Sequence, residues 1–491
     1  MSFIDRFLNT ITMYRLVLYE LIFLAVISII FSYIGKLGYN WPITSMIFSL
    51  VVLLVSCYII NLIFSKILRI PINIESSLIT ALILFLIMPP ASTEKEIIIL
   101  VLVGFIAMAS KYLISPFKKH IFNPVALAIF IIYILNFNTA IWWVGDTSMI
   151  PFLLIFGFLV IRKIKRFAMF LSFTVAWLFS LSFFERTIFT SLQSFQFALG
   201  PTLFFATIML TEPITTPPTR KLQIIYGALA GFLLNVNFRV GKLVTTPEFV
   251  LILVNIFSYS TSPKRKLIFL LKEKNKLAKD IYEFIFIPDA KFSFRPGQYL
   301  EWTLAHNKTD SRGNRRFFTI ASSPTENYIK LGVKYNNPPS SFKNKLFGFK
   351  NGDKILAGQL GGDFVLPRDS NKKLVFLAGG IGITPFRSMI KYLLDKGETR
   401  DIVLLYNAKS DDEIVYHDLF AEAQHKIGFK PKYVIGNFIT EKLIKNEVPD
   451  YIERNFYISG PAIMVNTLKK MLLEMGVSRF NIKTDYFPGF V

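Results

Sequence analysis

The sequence predicts a polytopic α-helical membrane bundle of about ten spans, each needing roughly 20 apolar residues, followed by an antiparallel β-barrel and an α/β nucleotide-binding domain. Three observations carry this reading. Long apolar runs such as YELIFLAVISIIFSYIG and SLVVLLVSCYIINLIF fill the chain to residue 262, whereas from Pro263 onward charges recur every few residues. Basic residues fall mostly on one side when the apolar runs are alternated across a bilayer. Finally, LAGGIGITPF at residues 377–386 ends a strand-like run in glycines and enters a helix through Thr-Pro, the way a chain approaches a nucleotide phosphate.

At 491 residues the chain exceeds one ordinary core. Its mean hydropathy of +0.47 and 15% aromatic content come from the first half. The net charge of +22 sits largely in short loops between apolar runs. No aromatic–basic ladder or zinc spacing accompanies it, so nucleic acid is not an expected partner. The single Cys57 cannot form an internal disulfide, a four-cysteine zinc site or a self-contained iron–sulfur cluster. It reads as a buried thiol, and no metal site is expected. The N-terminal MSFIDRFLNTITMYR leads into a long apolar run without a small-residue cleavage site, so it opens a first span rather than a signal peptide.

The candidate spans are roughly 16–34, 43–64, 76–89, 97–114, 124–136, 148–161, 167–184, 197–211, 222–237 and 246–259. The third, fifth, sixth and tenth are short, which suits broken or re-entrant helices lining a cavity. Alternation places Arg6, Arg15, Lys66, Arg69, Lys118, Lys119, Arg162, Lys163, Lys165, Arg166, Arg220, Lys221, Lys264, Arg265 and Lys266 on one side, against Lys36, Lys95, Arg186, Arg239 and Lys242 on the other. The positive-inside rule makes the first side cytoplasmic. The expectation is a multi-pass protein of the cell inner (plasma) membrane, with both termini and everything after residue 263 in the cytoplasm. Trp142 and Trp143 are expected at the outer interface. IMPPAS and IMLTEPITTPP, Gly104-Phe105 and Gly231-Phe232, and Asn123-Pro124 and Thr246-Pro247 recur five spans apart, the pattern of an inverted repeat.

Glu20, Glu212 and Glu248 are the acidic residues in or at the ends of spans. Glu20 and Glu248 are expected within a turn or two of an interface, snorkelling or paired with basic loops. Glu212 belongs to TEPITTPPTRK, a stretch that could hold an anionic group or simply end a helix. His120 alone lies near the membrane, the others being His306, His417 and His425. A transmembrane haem reductase needs paired axial histidines, so that architecture is excluded.

The text KHIFNPVALA (119–128), RKIKRF (162–167) and GPTLFFATIMLTEPITTPPTRKLQIIYGALAG (200–231) resembles the D subunit of Rnf complexes and the B subunit of sodium-pumping NADH:quinone reductases, over most of residues 70–260. The resemblance implies a noncovalent FMN or riboflavin in the bundle; the Ser/Thr-Gly-Ala-Thr-like motif that many members use for covalent attachment does not occur.

Four signals follow in the second half. FRPGQYLEW (294–302) places a tight turn between strand-like runs. RRFFTIASSP (315–324) offers Arg316 for a flavin phosphate, Phe318 on the same strand face, and the Thr319 hydroxyl for the flavin ring. LGVKYNNPPSSFKNKL (331–346) brings Lys334, Ser340 and Ser341 to a turn that can receive a pyrophosphate. The glycine loop comes fourth. In this order over about 120 residues, the signals resemble the ferredoxin–NADP+ reductase family, a flavin barrel followed by a nucleotide-binding domain, over roughly 267–491. The resemblance assigns Arg316, Phe318 and Thr319 to FAD, Phe replacing the family's Tyr. It assigns Ser340 and Ser341 to the pyrophosphate turn, and Gly379, Gly380, Gly382, Thr384 and Pro385 to the pyridine nucleotide. Ser459, Gly460 and Pro461 of YISGPAIM match a Cys-Gly-Pro stretch beside the nicotinamide, Ser459 standing for the Cys. Phe487 of the C-terminal TDYFPGF is a candidate for the flavin face. Lys409 would suit a 2′-phosphate while Asp411 and Asp412 oppose one, so NADH is favoured over NADPH.

The domains expected are a transmembrane domain at 1–262, an FAD-binding β-barrel at 267–366 and an NAD(P)-binding α/β domain at 372–491. The expected function is electron transfer from NAD(P)H through FAD into the bundle, then to a quinone or an extracytoplasmic flavoprotein, with further Rnf-like subunits as partners. Thr319 and Ser459 are the candidate catalytic residues. Redox-coupled ion transport, or a bundle serving only as an anchor, are the alternatives.

Overall fold

The structure is a computed structural model, describing residues 3–68, 74–116, 120–137, 139–184, 192–236, 238–241, 243–262, 267–306, 309–310, 312–335 and 338–485. The chain divides into two compact units, Ile11–Arg265 and Lys266–Val491, the latter together with Met1–Thr10.

The first unit is helical: α2 (Met13–Tyr33), α3 (Ile43–Ile67), α4 (Ile74–Ile87), α5 (Glu94–Leu113), α6 (Pro124–Ile134), α7 (Ile150–Ile164), α8 (Phe167–Phe184), α9 (Leu192–Phe204), α10 (Arg220–Leu233) and α11 (Pro247–Thr261); the short α1 (Phe3–Thr10) groups with the other unit. Local chemistry sets the starts. Thr93 and Glu96 form a capping box on α5, Asn123 caps α6 ahead of Pro124, and Thr246 caps α11 ahead of Pro247. Large side chains such as Phe23, Val51, Leu171 and Phe179 point outward, which suits helices surrounded by lipid rather than water.

Among the described residues five helical segments are long and apolar enough to cross a membrane: Met13–Tyr33, Ile43–Ile67, Glu94–Leu113, Thr147–Ile164 and Phe167–Phe184. The other candidate spans are helices as well, but shorter, so the structure does not display ten full spans. Helix α9 carries Pro201 and runs into a π-turn over Phe205–Met209, the kind of break that frees backbone groups where side chains can meet them.

Packing repeats along the bundle. Helix α2 packs on α4, α3 on α5 and α5 on α6; five helices later α7 packs on α9, α8 on α10 and α10 on α11. The corresponding pairs α2 with α7 and α6 with α11 also touch. Helices α8 and α10 approach through glycine: a Cβ on Gly231 would lie 2.2 Å from the Phe173 carbonyl oxygen, the close packing that small residues allow between membrane helices. A two-stranded hairpin, β1 (Arg239–Val240) and β2 (Leu243–Val244), joins α10 to α11.

Two expectations fail here. Trp142 and Trp143 are buried rather than interfacial, because each indole N–H has an interior acceptor. Trp142 donates to Glu248 at 2.8 Å, and Trp143 to the Phe85 and Met88 carbonyls at 2.9 Å. Glu248 and Glu20 are 4% and 2% exposed, so neither snorkels. Arg69, Lys118, Lys119, Arg186, Lys242, Lys264, Arg265 and Lys266, used to orient the spans, lie outside the described residues.

In the second unit, β3 (Leu267–Ala278), β4 (Ile281–Pro288), β5 (Tyr299–Thr303), β6 (Arg315–Thr319), β7 (Ile329–Lys334) and β8 (Lys354–Gly361) form an antiparallel sheet of order β6-β5-β8-β3-β4-β7. It encloses a core including Phe269, Phe284, Phe286 and Trp302. The expected barrel is not closed by a ladder: β6 and β7 are the edges, bridged past the end of β6 by the Ala321 amide donating to the Lys330 carbonyl. Helix α12 (Ser341–Phe347) lies between β7 and β8.

The rest is α/β: β9 (Leu374–Gly379), α13 (Thr384–Lys396), β10 (Ile402–Ala408), α14 (His417–Ile427), β11 (Lys430–Ile435), α15 (Glu441–Glu447), β12 (Asn455–Ser459), α16 (Ala462–Glu474) and β13 (Ile482–Asp485). All five strands are parallel, in the order β11-β10-β9-β12-β13. Strand β9 is apolar throughout and wholly buried, as a central parallel strand covered on both faces must be.

A buried ionic network ties the two sheets. Arg387 of α13 is bidentate to Glu326, one arm at 2.9 Å, and donates to the Ala321 carbonyl. Ser388 Oγ donates to the Ser322 carbonyl at 2.6 Å. Lys330 meets both Glu326 and Glu283, and the Tyr416 hydroxyl donates to Glu283 at 3.0 Å. Burial pushes the Glu326 carboxyl up, but the Arg387 hydrogen bond and charge outweigh it and hold it below the usual range. Removing one partner of a buried pair strands the other charge, at about 3–5 kcal/mol. Arg387→Ala should therefore lower the unfolding midpoint of the purified protein well beyond Lys391→Ala, whose pair with Asp395 is worth about 0.5 kcal/mol; differential scanning calorimetry compares them.

Candidate functional site

Of the residues singled out between 315 and 341, Arg316 and Ser341 meet in one cluster around the Asp310 carboxylate. Arg316 Nη2 meets the Asp310 carboxylate at 3.1 Å, while Nη1 donates to the Arg312, Gly313 and Arg315 carbonyls. Ser341 donates its backbone N–H to Asp310 Oδ2 at 3.0 Å, and its Oγ accepts from the Asp310 amide. Ser340 instead caps α12, its Oγ accepting from the Lys343 amide. Burial raises the Asp310 carboxyl, but Arg316 and the Ser341 and Arg312 amides prevail and hold it low. Burial, with Arg312, Arg316 and Lys334 nearby, pushes the Lys343 ammonium down to about 8. The cluster is rich in donors that suit an oxyanion, but Arg316 and the Ser341 amide are engaged by Asp310, so a phosphate there would have to displace that carboxylate.

Phe318 and Thr319 sit differently from the sequence expectation. Phe318 shares a strand face with Arg316, as alternation requires, but that face is the core side: Phe318 is 5% exposed, pairs with Leu300 across the ladder and packs on Phe342. The exposed ring is Phe317, edge-on to Tyr299. The Thr319 hydroxyl donates to Asp485 at the end of β13, at 3.3 Å. Lys334 ion-pairs with Glu413 at 2.7 Å, which ties its ammonium to the α/β sheet. Phe487 lies outside the described residues.

The glycine loop lies where the strand order reverses. Strand β9 pairs with β10 on one side and β12 on the other, and ligands of open α/β sheets bind at the carboxyl ends flanking such a switch point. Gly379 ends β9, Gly380 adopts φ +52°, a short 3-10 turn follows, and Thr384 and Pro385 open α13. Ser459 ends β12, 4% exposed, and Gly460 and Pro461 turn into α16. These segments are in contact: a Cβ on Gly382 would lie 2.4 Å from the Ser459 carbonyl oxygen, and one on Gly379 2.4 Å from Met464 Sδ. A Cβ on Gly332 of β7 would lie 2.7 Å from Thr384 Cγ2, so the loop also rests on the antiparallel sheet.

The bundle has its own polar centre. Glu212 accepts from Asn123 Nδ2 at 3.1 Å and from Thr215 Oγ1 at 3.2 Å, and faces His120 Nε2 at 3.1 Å. Asn255 accepts from the Asn123 amide and donates to the buried Tyr226 hydroxyl. Arg166 donates to Thr216 and to the Thr211 carbonyl. Glu212 therefore anchors a network across α6, α10 and α11 rather than merely ending a helix.

Residues 137–260 match the NQR2, RnfD, RnfE family, and residues 376–470 match the oxidoreductase NAD-binding domain. The chain joins an NQR2/RnfD/RnfE-family segment to an oxidoreductase NAD-binding domain. Flavohemoprotein A of Dictyostelium discoideum is 26% identical over 236 residues, 45% of this chain and 59% of that protein. The oxidoreductase NAD-binding domain-containing protein 1 of Pongo abelii is 29% identical over 231 residues, 40% of this chain and 72% of that protein. The chain thus spans 51–59% of the length of the flavohemoproteins it matches. Among solved structures, the FAD/NAD-binding domain of the Vibrio cholerae nitric oxide dioxygenase aligns at TM-score 0.40 and 20% identity, covering 45% of this chain and 97% of that one. The Amycolatopsis cytochrome P450 reductase GcoB aligns at TM-score 0.41 and 22% identity, covering 45% and 69%.

The NAD-binding domain's glycines differ in what they tolerate. Gly382→Ala forces a Cβ against backbone, a clash of about 1–3 kcal/mol. Gly380→Ala meets only open space and a left-handed φ, about 1 kcal/mol. Gly382→Ala should raise the KM for NAD(P)H several-fold more than Gly380→Ala in steady-state assays.

Proposed function

We propose that the protein is a membrane-bound flavoprotein oxidoreductase taking electrons from NAD(P)H, with NADH favoured, at the switch point of the α/β sheet and delivering them through FAD to the helical bundle. The bundle passes them to a quinone or an extracytoplasmic flavoprotein, alongside further Rnf-like subunits. The observation that carries the reading is the convergence of a donor-rich anion cluster and a glycine switch-point loop on one unit, joined by Arg387 and Glu326. Its setting is a chain matched to both the NQR2/RnfD/RnfE family and the oxidoreductase NAD-binding domain.

FAD, when bound, supplies the conversion between two-electron and one-electron transfer. Arg316, the Ser341 amide and Lys343 would hold its phosphates once Asp310, which engages the first two, gives way. Gly379, Gly380 and Gly382 let a nucleotide phosphate reach the start of α13. Thr319 and Ser459 line the two strand ends, with Asp485 orienting the Thr319 hydroxyl. In the bundle, the Glu212, Asn123, Tyr226 and Asn255 network offers donors and acceptors for a noncovalent FMN or riboflavin. The chain lies in the cell inner membrane with its nucleotide domain in the cytoplasm, as the basic loops direct.

Redox-driven cation transport is a second reading, favoured by Glu20: it is 2% exposed on an apolar helix, and both carboxyl oxygens are without a hydrogen-bond partner among the described residues. Sodium-dependent NADH oxidation in proteoliposomes that Glu20→Gln abolishes would support it; turnover indifferent to sodium and pH gradient would exclude it.

The leading reading predicts NADH-dependent reduction of a quinone analogue by the purified protein. Arg316→Ala should weaken FAD retention by about 2–3 kcal/mol, thirty- to hundredfold; quinone reduction that survives with no FAD bound would sink the proposal. Lys343 adds a pH signature. A phosphate favours the charged ammonium, so FAD affinity should fall as pH rises through about 8, and Lys343→Met should flatten that dependence in fluorescence titrations.

A further inference from the structure

A cleft of about 430 Å³ opens on the opposite end of the α/β sheet from the glycine loop. Its wall includes Arg368, six residues before β9, and Arg400, two residues before β10. It therefore adjoins the amino-terminal ends of these strands, whereas nucleotides approach the carboxyl ends. Strand β9 is six residues long, which at about 3.3 Å per residue separates the cleft from the loop by roughly 20 Å.

The cleft is lined by four cations, Arg295, Arg368, Lys396 and Arg400, against one carboxylate, Glu398. That carboxylate is engaged, since Arg400 Nε donates to Glu398 at 2.7 Å. Arg400 is further fixed by the Pro367 and Asp369 carbonyls, and Arg295 by the Leu366 carbonyl. The nearby Asp395 is taken by Lys391 and Thr325. Arg368 and Lys396 are exposed and make no ion pair or hydrogen bond among the described residues. Two guanidinium groups are thus held in place by carbonyls, and two exposed cations complete a net positive rim. The remaining wall is mostly apolar, formed by Phe294, Tyr392, Leu366 and three prolines, with Thr325 the one hydroxyl.

We propose that this cleft binds a phosphate-bearing ligand, its phosphoryl group on Arg368 and Lys396 and its body against Phe294 and Tyr392. Arg368 presents a planar fork, unengaged among the described residues, that can donate twice to a tetrahedral oxyanion, with the Lys396 ammonium beside it as a second donor. Arg295 and Arg400, held by the Leu366, Pro367 and Asp369 carbonyls, shape the wall and add positive potential. A volume of this size exceeds a bare anion and falls in the range of small-molecule sites. The phosphate could be carried by a soluble metabolite or by the headgroup of an anionic lipid.

The test is calorimetric titration of inorganic pyrophosphate into the full-length protein in phosphatidylcholine nanodiscs, with FAD bound and the nicotinamide site saturated with NAD+. Losing two cations should weaken binding at least about tenfold in Arg368→Ala/Lys396→Ala. The charge-conserving Arg368→Lys/Lys396→Arg should stay within about threefold of the wild type, which separates loss of charge from misfolding. Repeating the titration in phosphatidylglycerol nanodiscs assigns the source. Weaker pyrophosphate binding there in the wild type but not in the alanine variant marks a lipid headgroup, and unchanged binding marks a soluble ligand. Equal affinity in wild type and alanine variant, or no binding to the wild type, overturns the proposal.

Discussion

Arg387 and Glu326 form the contact on which the proposed chemistry depends. Arg387 sits three residues into the helix that the glycine loop opens, and Glu326 sits in the turn after the strand carrying Arg316 and Thr319. Their bidentate pair, with Ser388 on the Ser322 carbonyl, fixes α13 against that turn. Without it, the loop and the flavin-type donors would be held mainly by apolar packing, which is non-directional. Burial makes the pair costly to form and costlier to break, so it contributes more to a defined mutual placement than to net stability. Tyr416, held at φ +66° with its hydroxyl on Glu283, extends the same network; backbone strain of this kind persists only where surrounding contacts over-determine it.

Much of this was legible in the sequence, for identifiable reasons. The shift in charge density near residue 263, the glycine loop and the helix-starting Asn123-Pro124 and Thr246-Pro247 pairs are local signals, and local physics realises them. The failures are tertiary. Phe318 was read as a presented ring because alternation fixes its face but not what covers that face. Trp142, Trp143, Glu20 and Glu248 were placed by depth along a span, whereas their burial is set by neighbours distant in sequence. Arg387 was missed although it stands three residues beyond Thr384, since nothing local reveals that its partner is 61 residues away. Asp310 and Asp485 escaped for the same reason.

The bundle shows how an irregular segment can serve a polar centre. The π-turn at Phe205–Met209 and the TEPITTPPT segment interrupt regular helix inside apolar surroundings, where unsatisfied backbone groups are expensive. The Thr207 and Thr211 hydroxyls bond back to carbonyls one turn earlier, and Arg166 caps the Thr211 carbonyl. Glu212 is then held by Asn123 and Thr215. The helix packing that repeats with a five-helix period sets α6 beside α11, which is what brings Asn123 to Asn255.

The central claim is that electrons leave the nucleotide-binding unit through the bundle. It is tested most directly by extracting and quantifying flavin from the purified full-length protein. The account predicts two flavins per chain, FAD together with a noncovalent FMN or riboflavin that is retained when Arg316→Ala releases the FAD. A fully active protein containing FAD alone would contradict it.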